Sequence, residues 1–199
     1  KIGVIKYNVS GLSIEEFFSW CAENGVGYTE IRLSDVWKDT STKENNVQLL
    51  SGLIQKYGVK ISQISADNDF IRPTEEEFEK EVFIVQELCK MVKDLGFNQL
   101  RMDGGRPKDT VDETKYKDMV LDGLKRSVEI AEREKVYMAL DNHGKVTNNY
   151  QFQLELFKKI DSKYFGANID TMNYRAYGYP VEELIPIYKE IAPYVLHTQ

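Results

Sequence analysis

The chain has 199 residues and a mass of 23.1 kDa, room for one sizeable core and too little for two. With 42% hydrophobic and 29% charged residues it is ordinarily globular, which excludes a disordered or fibrous chain, and no apolar run approaches the ~20 residues of a membrane span. A net charge of −6, with lysines and arginines scattered among acids, leaves no basic patch, so nucleic acid is not an expected partner and neither is a membrane. The N-terminal Lys1-Ile2-Gly3-Val4-Ile5-Lys6 has neither a signal-peptide pattern nor a methionine, which points to a trimmed start.

Residues 2–7 open the chain as a β-rich run. Ser13, with Glu16 three residues on, forms a capping box for a helix whose apolar face is Ile14, Phe17, Phe18, Cys21 and Ala22, stopped by Gly25. A run at 27–33 precedes a helix carrying Val47, Leu50, Leu53, Ile54 and Tyr57, closed by Gly58. After a run at 59–65, Pro73-Thr74 and three glutamates start a long helix, because acids suit the positive end of the helix dipole. Its stripe is Phe78, Val82, Val85, Leu88, Cys89, Val92 and Leu95. The run at 98–102 leads to a helix through Tyr116, Met119, Val120, Leu124, Val128 and Ala131. The run at 136–140 leads to residues 151–160, where Phe152, Leu154 and Leu156 alternate like a strand before Phe157 and Ile160 restore a helical face. The run at 165–169 is followed by a helix from Pro180 through Leu184, Ile185, Tyr188 and Ile191, in which Pro186 predicts a kink or a late start. A run at 195–198 ends the series. Cys21 and Cys89 both fall on apolar helix faces and are expected as buried free thiols, which suits a reducing, cytoplasmic setting.

Strand and helix alternate throughout, and no Asn-Gly or Asp-Gly turn joins two strands, so the pattern is repeated βαβ units on a parallel sheet. An open doubly wound sheet and a closed (β/α)8 TIM barrel both fit. The absence of G-x-G-x-x-G and of a P-loop weakens the first. Seven units of ~30 residues favour the barrel. The chain stops on its seventh strand, so it is read as one barrel domain over residues 1–199, with the eighth βα unit missing. The edges of strands 1 and 7 would then lie open, and a homo-oligomer is one way to cover them.

The active site of such a barrel lies at the carboxyl ends of its strands. Those ends carry Lys6-Tyr7-Asn8, Glu30 with Arg32, Asp67-Asn68-Asp69, Arg101 with Asp103, Asp141-Asn142-His143, Asp170 through Asn173, and His197-Thr198-Gln199. Asp141, Asp170 and Gln199 follow one another at gaps of 29 residues, one βα repeat each, which predicts equivalent heights on consecutive strands. Three converging oxygen donors suit a divalent cation. Strand-end polar groups that only bind water or cap helices fit the same spacing. Lys6 faces either the mouth or a neighbouring carboxylate. Arg101 receives a carboxylate or phosphate, or pairs with Glu30 or Asp103. Trp37, with Asp35 and Lys38, is a candidate pocket wall, Trp20 a structural residue, and Tyr174, Tyr177 and Tyr179 a candidate lid or surface packing.

Ala139-Leu140-Asp141-Asn142-His143-Gly144 resembles the fifth-strand motif of the xylose isomerase-like barrel superfamily. Gly166 through Asn173 is similar to its sixth-strand G-x-N-x-D-x-x-N, and Ala192 through Gln199 to its seventh-strand P-Y-V-x-H-x-H. Gly3-Val4, Leu12-Ser13 with Glu15-Glu16, and Tyr28 through Arg32 match its usual opening. That family comprises sugar isomerases and epimerases, dehydratases of inosose and 3-dehydroshikimate, and endonuclease IV. The resemblance implies one divalent metal ion (Mn, Mg, Zn or Co) held by Asp141, Asp170 and Gln199, with a fourth ligand from the eighth strand. Asp141 replaces the usual Glu and Gln199 the usual second His; a metal-free or loosely metallated relative is the alternative. The implied reaction is isomerisation or epimerisation of a small sugar or keto-polyol through an enediolate. Asp141 would act as base, and His143 would polarise the carbonyl or relay a proton. Glu30, Asn68, Arg101, Asn173 and His197 are the expected substrate contacts, with Asn173 orienting Asp170 as its other role. Dehydration of inosose or 3-dehydroshikimate and non-catalytic sugar binding are the competing functions. An endonuclease with a His-rich three-metal cluster is disfavoured, because only His143 and His197 are present.

Overall fold

Seven parallel strands form one sheet in the order in which they occur in the chain. They are β1 (Val4–Ile5), β2 (Tyr28–Arg32), β3 (Lys60–Ser65), β4 (Gln99–Met102), β5 (Tyr137–Asp141), β6 (Phe165–Ile169) and β7 (Val195–Thr198). This computed structural model describes residues 2–37 and 42–199; Lys38, expected beside Trp37, lies outside them. An unbroken order decides between the two candidate architectures. A doubly wound sheet reverses its order at a switch point, whereas a TIM barrel runs in sequence. Among the described residues no pairing joins β1 to β7. A cleft of about 1020 Å³ lies there, between Gly3, Val4 and Tyr28 on one side and His197, Thr198 and Gln199 on the other. The fold is thus a seven-stranded (β/α) barrel wall, open along one side.

The connecting helices are α1 (Ile14–Glu23), α2 (Leu33–Val36), α3 (Lys43–Tyr57), α4 (Glu75–Asp94), α5 (Tyr116–Glu134), α6 (Gly144–Thr147), α7 (Tyr150–Ile160), α8 (Asn173–Tyr177) and α9 (Val181–Ile191). None is long and apolar enough to cross a membrane. Local chemistry sets their starts. The Ser13 hydroxyl accepts from the Glu16 amide (3.3 Å) while the Glu16 carboxylate accepts from the Ser13 amide (2.7 Å), the expected capping box. The Thr74 hydroxyl caps α4 by accepting from the Glu77 amide (3.3 Å) and itself donates to the Glu77 carboxylate (3.0 Å). In α7 the Asn149 side chain accepts from the Phe152 amide (2.9 Å), and Phe152, Leu156 and Phe157 bury one helical face. The cap and that face override the strand-like alternation of the sequence.

Two expectations are corrected. Strand β1 is shorter than residues 2–7, because the chain turns after Ile5 and the Val9 amide closes a 3₁₀ turn on the Lys6 carbonyl (2.9 Å). There Lys6 pairs with Asp35 at 3.4 Å. Helix α9 does not start late: it runs from Val181 to Ile191 with Pro186 inside it. The proline removes only the N–H that would reach the Glu182 carbonyl, and Glu182 is exposed, so water can satisfy it.

The strands sort their side chains by alternation. Ile31, Ile64, Leu100, Met102, Met138 and Leu140 are fully buried in the layer shared with the helices. The alternate positions Glu30, Gln63, Arg101, Asp141 and Asn168 carry polar groups into the barrel interior. Cys21 and Cys89 are buried and free, as expected; burial pushes their thiols up to about 11 and about 12, so neither is a nucleophile. Trp20 stacks on Phe17 (6.4 Å) and Trp37 is half-buried against the core. Tyr174 is no lid residue: it is fully buried and its hydroxyl donates to Gln153. Tyr177 stays exposed and stacks on Tyr179 at 5.7 Å.

Two helical glycines give opposite expectations. A methyl at Gly123 of α5 would lie 2.3 Å from Cγ of the fully buried Phe70 ring, whereas nothing lies within 4 Å at Gly52 of α3. Overpacking at Gly123 exceeds the ~1 kcal/mol gain in helix propensity, so Gly123→Ala destabilises by about 1–2 kcal/mol. Gly52→Ala stabilises by roughly 0.5–1 kcal/mol. Urea unfolding of both variants checks the two signs.

Candidate active site

Register brings the polar positions together. Asp141 of β5 lies opposite Asn168 of β6, which lies opposite His197 of β7. On the other side of the interior Glu30 of β2 lies opposite Gln63 of β3, and Ser65 opposite Arg101 of β4. The side chains close into one network. Asn168 donates through Nδ2 to Asp141 Oδ1 (3.0 Å), and its Oδ1 lies 2.9 Å from His197 Nδ1. Gln63 Nε2 donates to Glu30 Oε2 (2.6 Å) and to Asn168 Oδ1 (3.2 Å). Gln199 Nε2 donates to the same Glu30 oxygen (2.6 Å).

Arg101 sits among these groups. Its Nη1 lies 3.3 Å from Glu30 Oε1 and 3.6 Å from Asp141 Oδ2, and donates to Gln199 Oε1 at 3.3 Å; its Nη2 donates to Ser65 Oγ at 3.0 Å. Burial pushes the Glu30 carboxyl above its usual range, although Arg101 and the Gln63 and Gln199 amides pull the other way. Burial likewise raises Asp141, against Arg101 and the Asn168 bond. Asp103 is pushed up to about 6, again by burial, with Arg101 opposing and Asp141 and Asp67 adding repulsion. Burial and the Arg101 charge hold His197 below its ordinary value, so it is neutral at pH 7.

The remaining expected residues are placed differently. Asn68 is buried and spends both amide ends on the Asp103 backbone, accepting from its N–H (2.9 Å) and donating to its C=O (2.5 Å). It clamps the loop after β4. His143 is exposed at the start of α6, with Nδ1 3.5 Å from Asn173 Nδ2. Asp170 is held by Asn142, which accepts from its N–H (2.8 Å) and donates to its C=O (3.0 Å). One Asp170 carboxylate oxygen accepts from the Met172 amide at 2.9 Å. The gap of 29 residues therefore does not place Asp141 level with Asp170. The sheet pairs Asp141 with Asn168, two residues earlier.

A divalent ion needs several oxygens free to converge on one point. Here Asp141 gives one oxygen to Asn168 and turns the other to Arg101, and the Gln199 oxygen also accepts from Arg101. Among the described residues no three His, Cys, Asp or Glu side chains are grouped to hold a metal. The donor set in this arrangement fits a guanidinium and does not fit a divalent ion. Sequence reading missed Gln63, Asn168 and Ser65, which join Glu30, Arg101 and Asp141 to one another. Period-two alternation was the available signal: Asn168 stands two residues before Asp170, and Gln63 and Ser65 share a face of β3.

No sequence among the curated proteins matches the chain significantly. Among solved structures, the 3-keto-D-glucoside 4-epimerase YcjR from E. coli, in its apo form, superimposes with a TM-score of 0.78 at 15% identity, covering 100% of this chain and 77% of that one. A D-tagatose 3-epimerase-like protein gives 0.77 at 23% identity, covering 98% and 74%. The IOLI protein with a bound zinc atom gives 0.71 at 19% identity, covering 91% and 67%. At these identities the likeness carries the fold. The family model described as xylose isomerase-like TIM barrel matches residues 18–199, and the chain belongs to that family.

Proposed function

We propose that the chain is an isomerase or epimerase of a small sugar or keto-polyol that works by proton transfer beside a carbonyl. One observation carries this reading: two buried carboxylates, Glu30 and Asp141, flank Arg101 at the carboxyl ends of the strands, where barrels of this family place their chemistry. The epimerase activity named for one structural neighbour, and the epimerase-like name of another, support it. A carboxylate raised by burial is a better base than one in water, which suits Asp141 to remove the proton next to the carbonyl. The electrons move onto the carbonyl oxygen, and the enediolate charge faces Arg101. For isomerisation the α-hydroxyl gives its proton to the former carbonyl oxygen and the carbon proton returns to the former carbonyl carbon; for epimerisation the proton returns to the opposite face of the α-carbon. His143 at the rim relays protons, while Glu30, Asn173 and His197 contact the hydroxyls. Asp103, near half-protonation at about pH 6, is a second proton carrier.

The experiment is a panel of ketoses and keto-polyols assayed in D2O. Product carrying solvent deuterium at the α-carbon (epimerisation) or at the former carbonyl carbon (isomerisation) supports the reading; neither product nor exchange with any member of the panel removes it. Asp141→Asn should lower kcat by about 10²–10⁴-fold with KM nearly unchanged and the circular dichroism spectrum intact. A dehydratase is the second reading, because the family resemblance gives Gln at the Gln199 position in some of its dehydratases. It predicts loss of water from inosose or 3-dehydroshikimate instead.

The Asp103 environment also sets a stability trend. Its folded value of about 6 exceeds the ~3.9 of an unfolded aspartate, so the folded chain binds the extra proton between those values. Stability from this group is full below about pH 4 and falls as pH rises through 6. Glu30 and Asp141, also raised, act in the same direction. Urea unfolding between pH 4 and 7 should show a slope that flattens in Asp103→Asn, which keeps the uncharged form at every pH.

A further inference from the structure

We infer that the Arg101 guanidinium is the resident cation of this site, standing where a divalent metal would otherwise be held, and that it is the group that receives the substrate's oxyanion. The second half rests on the isomerase reading; the first does not. Three observations carry it. Arg101 Nη1 lies within 3.3–3.6 Å of Glu30, Asp141 and Gln199, so two of the three oxygens that the family pattern would offer a metal already face a positive charge. The Gln199 amide is polarised between the two charges, donating to Glu30 (2.6 Å) and accepting from Arg101 (3.3 Å), which turns its oxygen away from any other cation. The side chains of Glu30 and Asp141 are 3% and 4% exposed against 14% for Arg101, so Arg101 is the most exposed of the three charged side chains. A bound Mn²⁺ would sit against a fixed cation only a few ångströms away, and neither could be displaced without leaving buried carboxylates unpaired.

The charge balance of the proposed reaction agrees. When Asp141 takes the α-proton it loses its negative charge as the substrate oxygen gains one. Arg101 exchanges one anionic partner for another, and the net charge of the interior does not change. Its Nε–H, buried without a partner among the described residues, leaves the guanidinium a further donor not committed to the protein.

The test is calorimetric titration of the full chain, after dialysis against EDTA, with Mn²⁺, Zn²⁺ and Mg²⁺, together with elemental analysis of the protein as purified. Wild type should carry no stoichiometric metal and show no saturable binding tighter than ~1 mM. Arg101→Ala frees the oxygens and should bind Mn²⁺ at least ~10-fold more tightly than wild type; Arg101→Lys, which keeps the charge, should not. Any ketose turnover found in D2O should survive EDTA and fall ~100-fold or more in Arg101→Ala. One equivalent of metal in wild type, lost in Asp141→Ala, overturns the inference, as does turnover abolished by EDTA and restored by Mn²⁺. Should Arg101→Ala fail to fold, the wild-type titration and elemental analysis decide alone. Absence of turnover together with absence of metal binding removes the isomerase reading and leaves the cation assignment standing.

Discussion

A guanidinium held between buried carboxylates is the constraint around which the barrel interior is arranged. Glu30, Asp141 and Arg101 are contributed by three different strands, and each would be costly to bury alone. Removing one partner of such a buried group typically costs about 3–5 kcal/mol, because the other charge is left without compensation. The amides of Gln63, Asn168 and Gln199 add hydrogen bonds to the two carboxylates, so neither depends on the ion pair alone. A network of this kind holds its members in one geometry, and proton transfer requires that rigidity of its base and its electrostatic partner.

The sheet makes the network possible. A parallel strand sends alternate side chains to opposite faces, and here the outward face supplies Ile31, Ile64, Leu100 and Leu140 to the helices while the inward face is left polar. A TIM-barrel interior is ordinarily filled by branched apolar residues. This one is filled at its upper level by Glu, Gln, Arg, Asp and Asn, with Gly166 admitted where a Cβ would lie 2.2 Å from the Tyr194 carbonyl. The close approach of β6 to the turn before β7 depends on that glycine. It brings Asn168 and His197 within hydrogen-bonding distance.

The elements were largely legible along the chain. Caps at Ser13 and Thr74, glycines after the helices and β-branched runs are local signals, read by a few neighbouring residues. Where local signals competed, packing arbitrated: Asn149 and the buried face of Phe152, Leu156 and Phe157 made α7 a helix despite its alternation. The site was legible only in part. Strand-end acids, Arg101 and His197 were visible as polar residues after apolar runs. Asn68 looked like a site residue for the same reason, and Tyr174 like a lid residue because three tyrosines crowd the loop after β6. Asn68 satisfies the Asp103 backbone and Tyr174 fills the core.

By itself the amino-acid sequence determined the alternation of strands and helices, the parallel sheet, the acidic net charge and the set of polar residues at the strand ends. These follow from side-chain period and composition, which act within a few residues. Only the tertiary structure decided the unbroken strand order, the pairing of Asp141 with Asn168 instead of Asp170, and the position of Arg101 among Glu30, Asp141 and Gln199. Register is settled by hydrogen bonding and packing between segments some thirty residues apart, and a shift of two residues changes which oxygens meet a cation without leaving a trace in the spacing of the sequence.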